Sequence, residues 1–151
     1  MTMFKTHLVF ALLFISVSSS SGQTNQNTKK PAASITGTYK YVLNSIEVLE
    51  MPDHKVRIRF SGVWPNERKK AETRNMGAFD EIVKLEGKTA TVKIQFGDEP
   101  CLVKLAFQPN KVMVEQNGSL TGCGFGFNVE PDGTYIKVSS KSPDMPPRQE
   151  N

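Results

Sequence analysis

His54-Lys-Val-Arg-Ile-Arg-Phe60 alternates without a break: Val56, Ile58 and Phe60 fall on one face, Lys55, Arg57 and Arg59 on the other. A period of two marks an extended strand with one dry side and one wet side. The pattern recurs downstream. Between Thr91 and Phe96, Val92, Ile94 and Phe96 oppose Thr91, Lys93 and Gln95. Cys101-Leu-Val-Lys-Leu-Ala-Phe107 sets Val103, Leu105 and Phe107 opposite Lys104, and Val112 and Val114 oppose Met113 and Glu115. Strands wet on one face belong to antiparallel sheets.

Turn-forming residues separate these runs at close intervals. They are Met-Pro-Asp (51–53), Glu-Gly-Lys (86–88), Gly-Asp-Glu-Pro (97–100), Gln-Pro-Asn (108–110), Asn117-Gly118 and Pro-Asp-Gly (131–133). Connections this short make hairpins, whereas parallel crossovers need longer links. Eight or nine strands are predicted, at 36–42, 45–50, 54–63, 78–85, 89–96, 101–107, 111–116, 123–129 and 134–139. An open sheet of that length leaves its apolar face and two edges bare. The predicted fold is therefore all-β, an antiparallel meander closing into a small or flattened barrel, with a two-sheet sandwich as the alternative.

The flanks are of another character. Residues 1–22 carry Lys5, the apolar run Leu8-Val-Phe-Ala-Leu-Leu-Phe-Ile-Ser-Val17 and a small-residue stretch ending at Gly22, the order of parts in a secretory signal cleaved after Gly22. That run is too short to cross a bilayer, which takes ~20 apolar residues. Residues 23–34 read as a polar disordered leader, 35–142 as one β-barrel domain and 143–151 as a proline-rich disordered tail. The whole chain has 19 Lys and Arg against 15 Asp and Glu; removing the signal takes Lys5 and no acid, which brings the net charge from +4 to +3. So mild and interleaved a charge does not call for a polyanionic partner.

Cys101 and Cys123 are the only thiols. An exported chain meets oxidising conditions, and both cysteines share phase with apolar neighbours, so a disulfide is expected. Its closed loop is worth roughly 3 kcal/mol through the unfolded state. In a plain meander the two cysteine strands would lie ~9.5 Å apart, beyond the ~7 Å between Cα atoms that a disulfide tolerates. The chain after Asn117 must then curl under the end of the 111–116 strand. A catalytic thiol would need a base, and His54 is the only histidine after the signal.

Gly122-Cys-Gly-Phe-Gly-Phe-Asn-Val129 is no phosphate loop, because a helix should follow the glycines. Read as a strand, it puts Gly122, Gly124 and Gly126 on one face and Cys123, Phe125 and Phe127 on the other. Glycines there point to a barrel corner or to a flat groove for a ligand or partner strand. With Asp132-Gly-Thr-Tyr135, the strand 101–107 and an opening Gly37-Thr-Tyr39, this run resembles small exported bacterial β-meander proteins of unknown activity. The resemblance implies a fold and is silent about activity. More distantly the architecture is similar to lipocalins and to periplasmic lysozyme inhibitors; lipocalins carry Gly-x-Trp in the first strand, whereas Gly62-Val-Trp64 ends the third here.

No catalytic set stands out. One mature histidine and a paired cysteine do not make a metal site, no nucleophile elbow is visible, and the carboxylates of Asp80/Glu81 and Asp98/Glu99 are adjacent rather than facing. The long polar stretch after Trp64 reads as a loop with a helical turn capped by Asn66, the natural place for a contact surface. Candidate ligand or partner residues are Trp64, Arg68, Lys69, Lys70, Arg74, Gly124, Phe125, Gly126 and Phe127, with Arg57 and Arg59 beside the basic cluster. The expectation is a secreted or periplasmic, monomeric, non-enzymatic binding protein without cofactor, metal or nucleic acid, taking an apolar ligand or an envelope or extracellular protein. The alternative is an inhibitor of a secreted enzyme acting through a rigid loop at 64–76 or 117–124.

Overall fold

The computed structural model describes residues 33–65, 74–96, 98, 100–118 and 122–148. The expected signal 1–22, most of the expected leader 23–34 and the helical turn expected after Asn66 lie outside the described residues, as does 149–151. Eight strands follow in chain order: β1 (Gly37–Tyr41), β2 (Asn44–Met51), β3 (Lys55–Pro65), β4 (Arg74–Glu86), β5 (Thr89–Ile94), β6 (Cys101–Gln108), β7 (Lys111–Asn117) and β8 (Gly133–Ser139). Each pairs antiparallel with the next, and β8 pairs back onto β1, closing the barrel. Among the described residues there is no helix, and so none long and apolar enough to cross a membrane.

Alternation built these strands as the sequence implied. The cross-strand pairs Ile46↔Phe60, Phe60↔Phe79, Val92↔Val103, Leu105↔Val114 and Val112↔Tyr135 all point inward. Every strand contributes to the interior. Tyr39, Ile46, Ile58, Phe60, Val92, Leu105, Val112 and Tyr135 are all but fully enclosed, so the barrel axis is a packed core. Two-residue turns close the lower ends of β4–β5 and β6–β7. Gly87 (φ 62°) and Asn110 (φ 61°) take the left-handed conformation there, which those residue types adopt most readily.

The odd-numbered strands run up to one mouth, here called upper; the even-numbered strands run down to the lower one. The upper mouth is asymmetric. β3 and β4 pair along their whole length, from Lys55↔Lys84 to Pro65↔Arg74, whereas β4 meets β5 only at Leu85↔Ala90 and Glu86↔Thr89. Above those two pairs the strands part, and residues 122–129 fill the gap.

That segment corrects the sequence reading. It was expected as a ninth strand, but it is a crossing of turns. Gly124 (φ 68°) and Asn128 (φ 60°) are left-handed, which breaks an extended chain. The alternating glycines imitated a period-two pattern while removing the side chains that would have held a strand straight. Phe125 turns in, stacking on Phe79 and meeting Phe60 at a tilt, with centroids 6.3 and 5.6 Å away, but Phe127 turns out instead of sharing that face. Cys123 returns beneath the end of β7 to Cys101, Cα to Cα 4.9 Å, and the pair is bonded and buried. The curl demanded by strand spacing is therefore present.

Candidate functional site

Tyr41-Val42-Leu43-Asn44 forms the upper β1–β2 turn, and its chemistry is unusual. Two-residue hairpin turns favour Gly, Asn or Asp, since at least one residue takes a positive φ. Here Val42 holds φ at 51°. A β-branched side chain in that region is strained. The strain is not repaid by burial, because Val42 is 84% and Leu43 55% exposed. Asn44 keeps the tip rigid: its Nδ2 donates to the Glu130 carbonyl (3.0 Å) and its Oδ1 accepts from Val63 N–H (3.1 Å). The turn is thus fixed to β3 on one side and to the crossing segment on the other.

Further apolar groups surround this tip. Trp64, near the end of β3, is 47% exposed, Phe127 is 77% exposed, and Tyr41 and Met76 are open to solvent. Between the tip and β3 lies a cleft of about 360 Å³ lined by Tyr41, Leu43, Val63, Trp64, Val129 and Glu130. Scattered exposed apolar residues are ordinary on any protein. Several of them, three aromatic, gathered on a rigid mouth make it the candidate interaction site.

Of the residues singled out from sequence, Trp64 and Phe127 stand on this mouth. Gly124 and Gly126 do not front an open groove. A Cβ on Gly124 would lie 2.8 Å from the Phe96 ring, and one on Gly126 would lie 2.8 Å from the Met76 carbonyl oxygen. Gly126 N–H donates to that same oxygen (3.0 Å), and Asn75 Nδ2 donates to the Phe127 carbonyl (2.8 Å). The close approach that glycine permits is made by the protein's own β4 at Gly126 and by Phe96, just past β5, at Gly124. Phe125 is a core contact. Arg68, Lys69 and Lys70 lie outside the described residues, and Arg74 is described only through its backbone pairing with Pro65.

Arg57 and Arg59 do not belong to a free basic patch. On the outer wall Arg57 Nε and Nη2 grip the two Asp80 oxygens at 2.8 Å each, and Arg59 bridges Asp80 (3.1 Å) and Glu47 (3.3 Å). The Arg57 fork holds the Asp80 carboxyl below the usual carboxylate range, burial opposes it, and Arg59 adds to it. The Arg57 guanidinium is raised in turn, chiefly by its bonds to Asp80. Residues 140–148 run over this wall; Arg57 also donates to the Met145 carbonyl (3.4 Å), and Arg148 pairs with Glu81 at 3.0 Å.

The two Gly-Thr-Tyr motifs use one device twice. Tyr39 Oη donates to the Ile35 carbonyl (2.7 Å) and Tyr135 Oη to the Pro131 carbonyl (2.9 Å), each four residues back. Each tyrosine fills the barrel with its ring and ties the entering chain to a strand. Burial, with Glu50 nearby, pushes the Tyr39 phenol up to about 12, and burial raises Tyr135 as well.

The lower mouth holds a second cleft, of about 480 Å³. Its floor is apolar, with Ile35, Tyr39, Phe107 and Pro109. The chain entering β1 is pinned there by Glu50, whose carboxylate accepts from Ser34 Oγ, Ile35 N–H (3.1 Å) and Thr36 Oγ1 (3.4 Å). Among the described residues no three His, Cys, Asp or Glu side chains gather as metal ligands would. The chain matches no protein-family model, no curated protein and no solved structure.

Sequence reasoning overlooked Tyr41, Val42, Leu43 and Asn44. A signal was there to find. A tight turn between two alternating runs held Val-Leu where turn chemistry calls for Gly, Asn or Asp.

Proposed function

We propose that this is an exported, non-enzymatic binding protein that engages a protein partner through its upper mouth. Val42, Leu43, Trp64 and Phe127 are the anchors. One observation carries the reading: a strained, solvent-exposed Val-Leu tip held rigid by Asn44, which fold stability alone would replace. Strain kept at a site that does not need it for folding is a mark of function. The packed interior favours recognition at a mouth over a ligand held along the axis. Export is supported by the signal-like residues 1–22 and by the Cys101–Cys123 bridge. The resemblance of the Cys-Gly-Phe-Gly and Asp-Gly-Thr-Tyr runs to exported bacterial β-meander proteins points the same way.

Within this reading, inhibition of a secreted enzyme is the specific form that a stiff convex apolar tip favours, since such a tip fits a cleft rather than a flat surface. A photo-crosslinking residue at position 43, and another at position 104 on the outer wall of β6, test the proposal in protein expressed in its native host. One defined adduct from 43 and none from 104 is the expected result. Equal labelling from both, or labelling from 104 alone, overturns it. Loss of the captured partner's activity on adding the purified protein selects the inhibitor form.

A further inference from the structure

The lower cleft differs in chemistry from the upper mouth. Its walls are apolar, from Ile35, Tyr39, Phe107 and Pro109, and two lysines stand at its rim. The charges on it are unequal in use. Glu50 Oε2 accepts from Ser34, Ile35 and Thr36, which ties the carboxylate to the chain entering β1, and its negative charge remains. Lys137 Nζ donates to the Ser34 carbonyl (2.7 Å) and lies 5.5 Å over the Tyr39 ring, so it too is committed, though its positive charge remains. Lys88, in the β4–β5 turn, accepts from Phe107 N–H (2.8 Å) through its backbone carbonyl, while its ammonium makes no ion pair or hydrogen bond among the described residues. Two lysine charges against the one carboxylate of Glu50 leave the cleft net positive above an apolar floor, and the space falls in the ~300–1,000 Å³ range of small-molecule sites.

From this combination we infer that the lower cleft binds an amphipathic carboxylate, with its apolar part against Ile35, Tyr39 and Phe107 and its carboxylate facing Lys88 and the Lys137 charge. A neutral apolar ligand leaves the lysines without a counter-charge. A cationic amphiphile meets two like charges against the single Glu50 carboxylate. The site stands at the opposite end of the barrel from the partner-binding mouth, so either assignment can fail without the other.

The test is a proton–nitrogen correlation NMR titration of the full mature protein with decanoate, kept below its micelle concentration, and with decyltrimethylammonium as the cationic counterpart. Decanoate is expected to shift Ile35, Thr36, Gly87, Lys88 and Asn110 in a saturable way, and decyltrimethylammonium is not. Lys88→Glu should weaken decanoate at least about tenfold, roughly 1.4 kcal/mol, with the melting temperature unchanged because Lys88 is exposed in a turn. Ile35→Asn should weaken it through the apolar wall, and Lys104→Glu on the outer wall should have no effect. The inference is overturned by shifts centred on Trp64 and Phe127, by equal response to both amphiphiles, by no saturable response, or by undiminished binding in Lys88→Glu.

Discussion

Replacing Val42 with asparagine should make the protein more stable and less able to hold its partner. The valine holds φ at 51°, where a side chain with a branched Cβ crowds the carbonyl oxygen. Left-handed backbone costs an ordinary residue roughly 1–2 kcal/mol, and asparagine pays less of it because it visits that region readily. Against this gain stands the burial lost. Fully burying a valine is worth ~1.5–3 kcal/mol, but Val42 is 84% exposed, so only about a sixth of that is at stake. The balance is a stabilisation of about 1 kcal/mol, or a melting temperature about 5 °C higher for a domain of this size. Differential scanning calorimetry of the mature protein and of Val42→Asn measures it directly. A melting temperature equal to or below the parent's would refute the reasoning, since Val42 would then be serving the fold. Crosslinking through position 43 in the same variant should fall.

The remaining expectations concern the fold that carries the two mouths. Serine at both Cys101 and Cys123 should cost about 3 kcal/mol from the loop between positions 22 apart, read as a melting-temperature drop under oxidising conditions; an unchanged value argues against the bridge. Tyr135→Phe leaves the Pro131 carbonyl without its donor in a buried place and should cost about 1–2 kcal/mol by urea denaturation. Because Asp80 titrates below its unfolded value of about 3.9, its contribution is full above that pH and is lost as acid is added through the depressed folded value. Asp80→Asn should flatten the acid limb of stability against pH. Tyr39 works with the opposite sign: unfolded tyrosine ionises near pH ~10 and Tyr39 only at about 12, so stability should decline with rising pH between those values, and Tyr39→Phe should soften that decline.

Strand positions were legible because each strand keeps one wet and one dry face, so a simple alternation of residue types reports local geometry. Closure followed from strand number and edge exposure. The failure at residues 122–129 has a definite cause. Gly124 and Asn128 are left-handed, and the sign of φ leaves no trace in a hydrophobic pattern. Phe125 and Phe127, two residues apart, were therefore assigned one face, when a turn sends them to opposite sides. The Arg57–Asp80–Arg59–Glu47 network was hidden for a different reason. It depends on the cross-strand register Arg59↔Asp80 and Glu47↔Arg59, which residue types on a single strand do not encode. Trp64 was picked out at the entrance of the long polar stretch and Phe127 as part of the glycine-phenylalanine run, but what brings them together is the upper end of the barrel. The repeated Gly-Thr-Tyr was visible as a motif, while its hydrogen bond to the carbonyl four residues back required the fold.

Recognition is assigned to the mouths because side chains fill the barrel axis, and xenon tests that directly. Xenon under pressure enters dry apolar voids and is readily seen by diffraction. Crystals of the mature protein under xenon should show no site among Tyr39, Ile58, Phe60, Leu105 and Tyr135, with any xenon confined to the clefts at the two ends. A well-occupied xenon atom on the barrel axis between those side chains would contradict the account and return the interior to consideration as a ligand chamber.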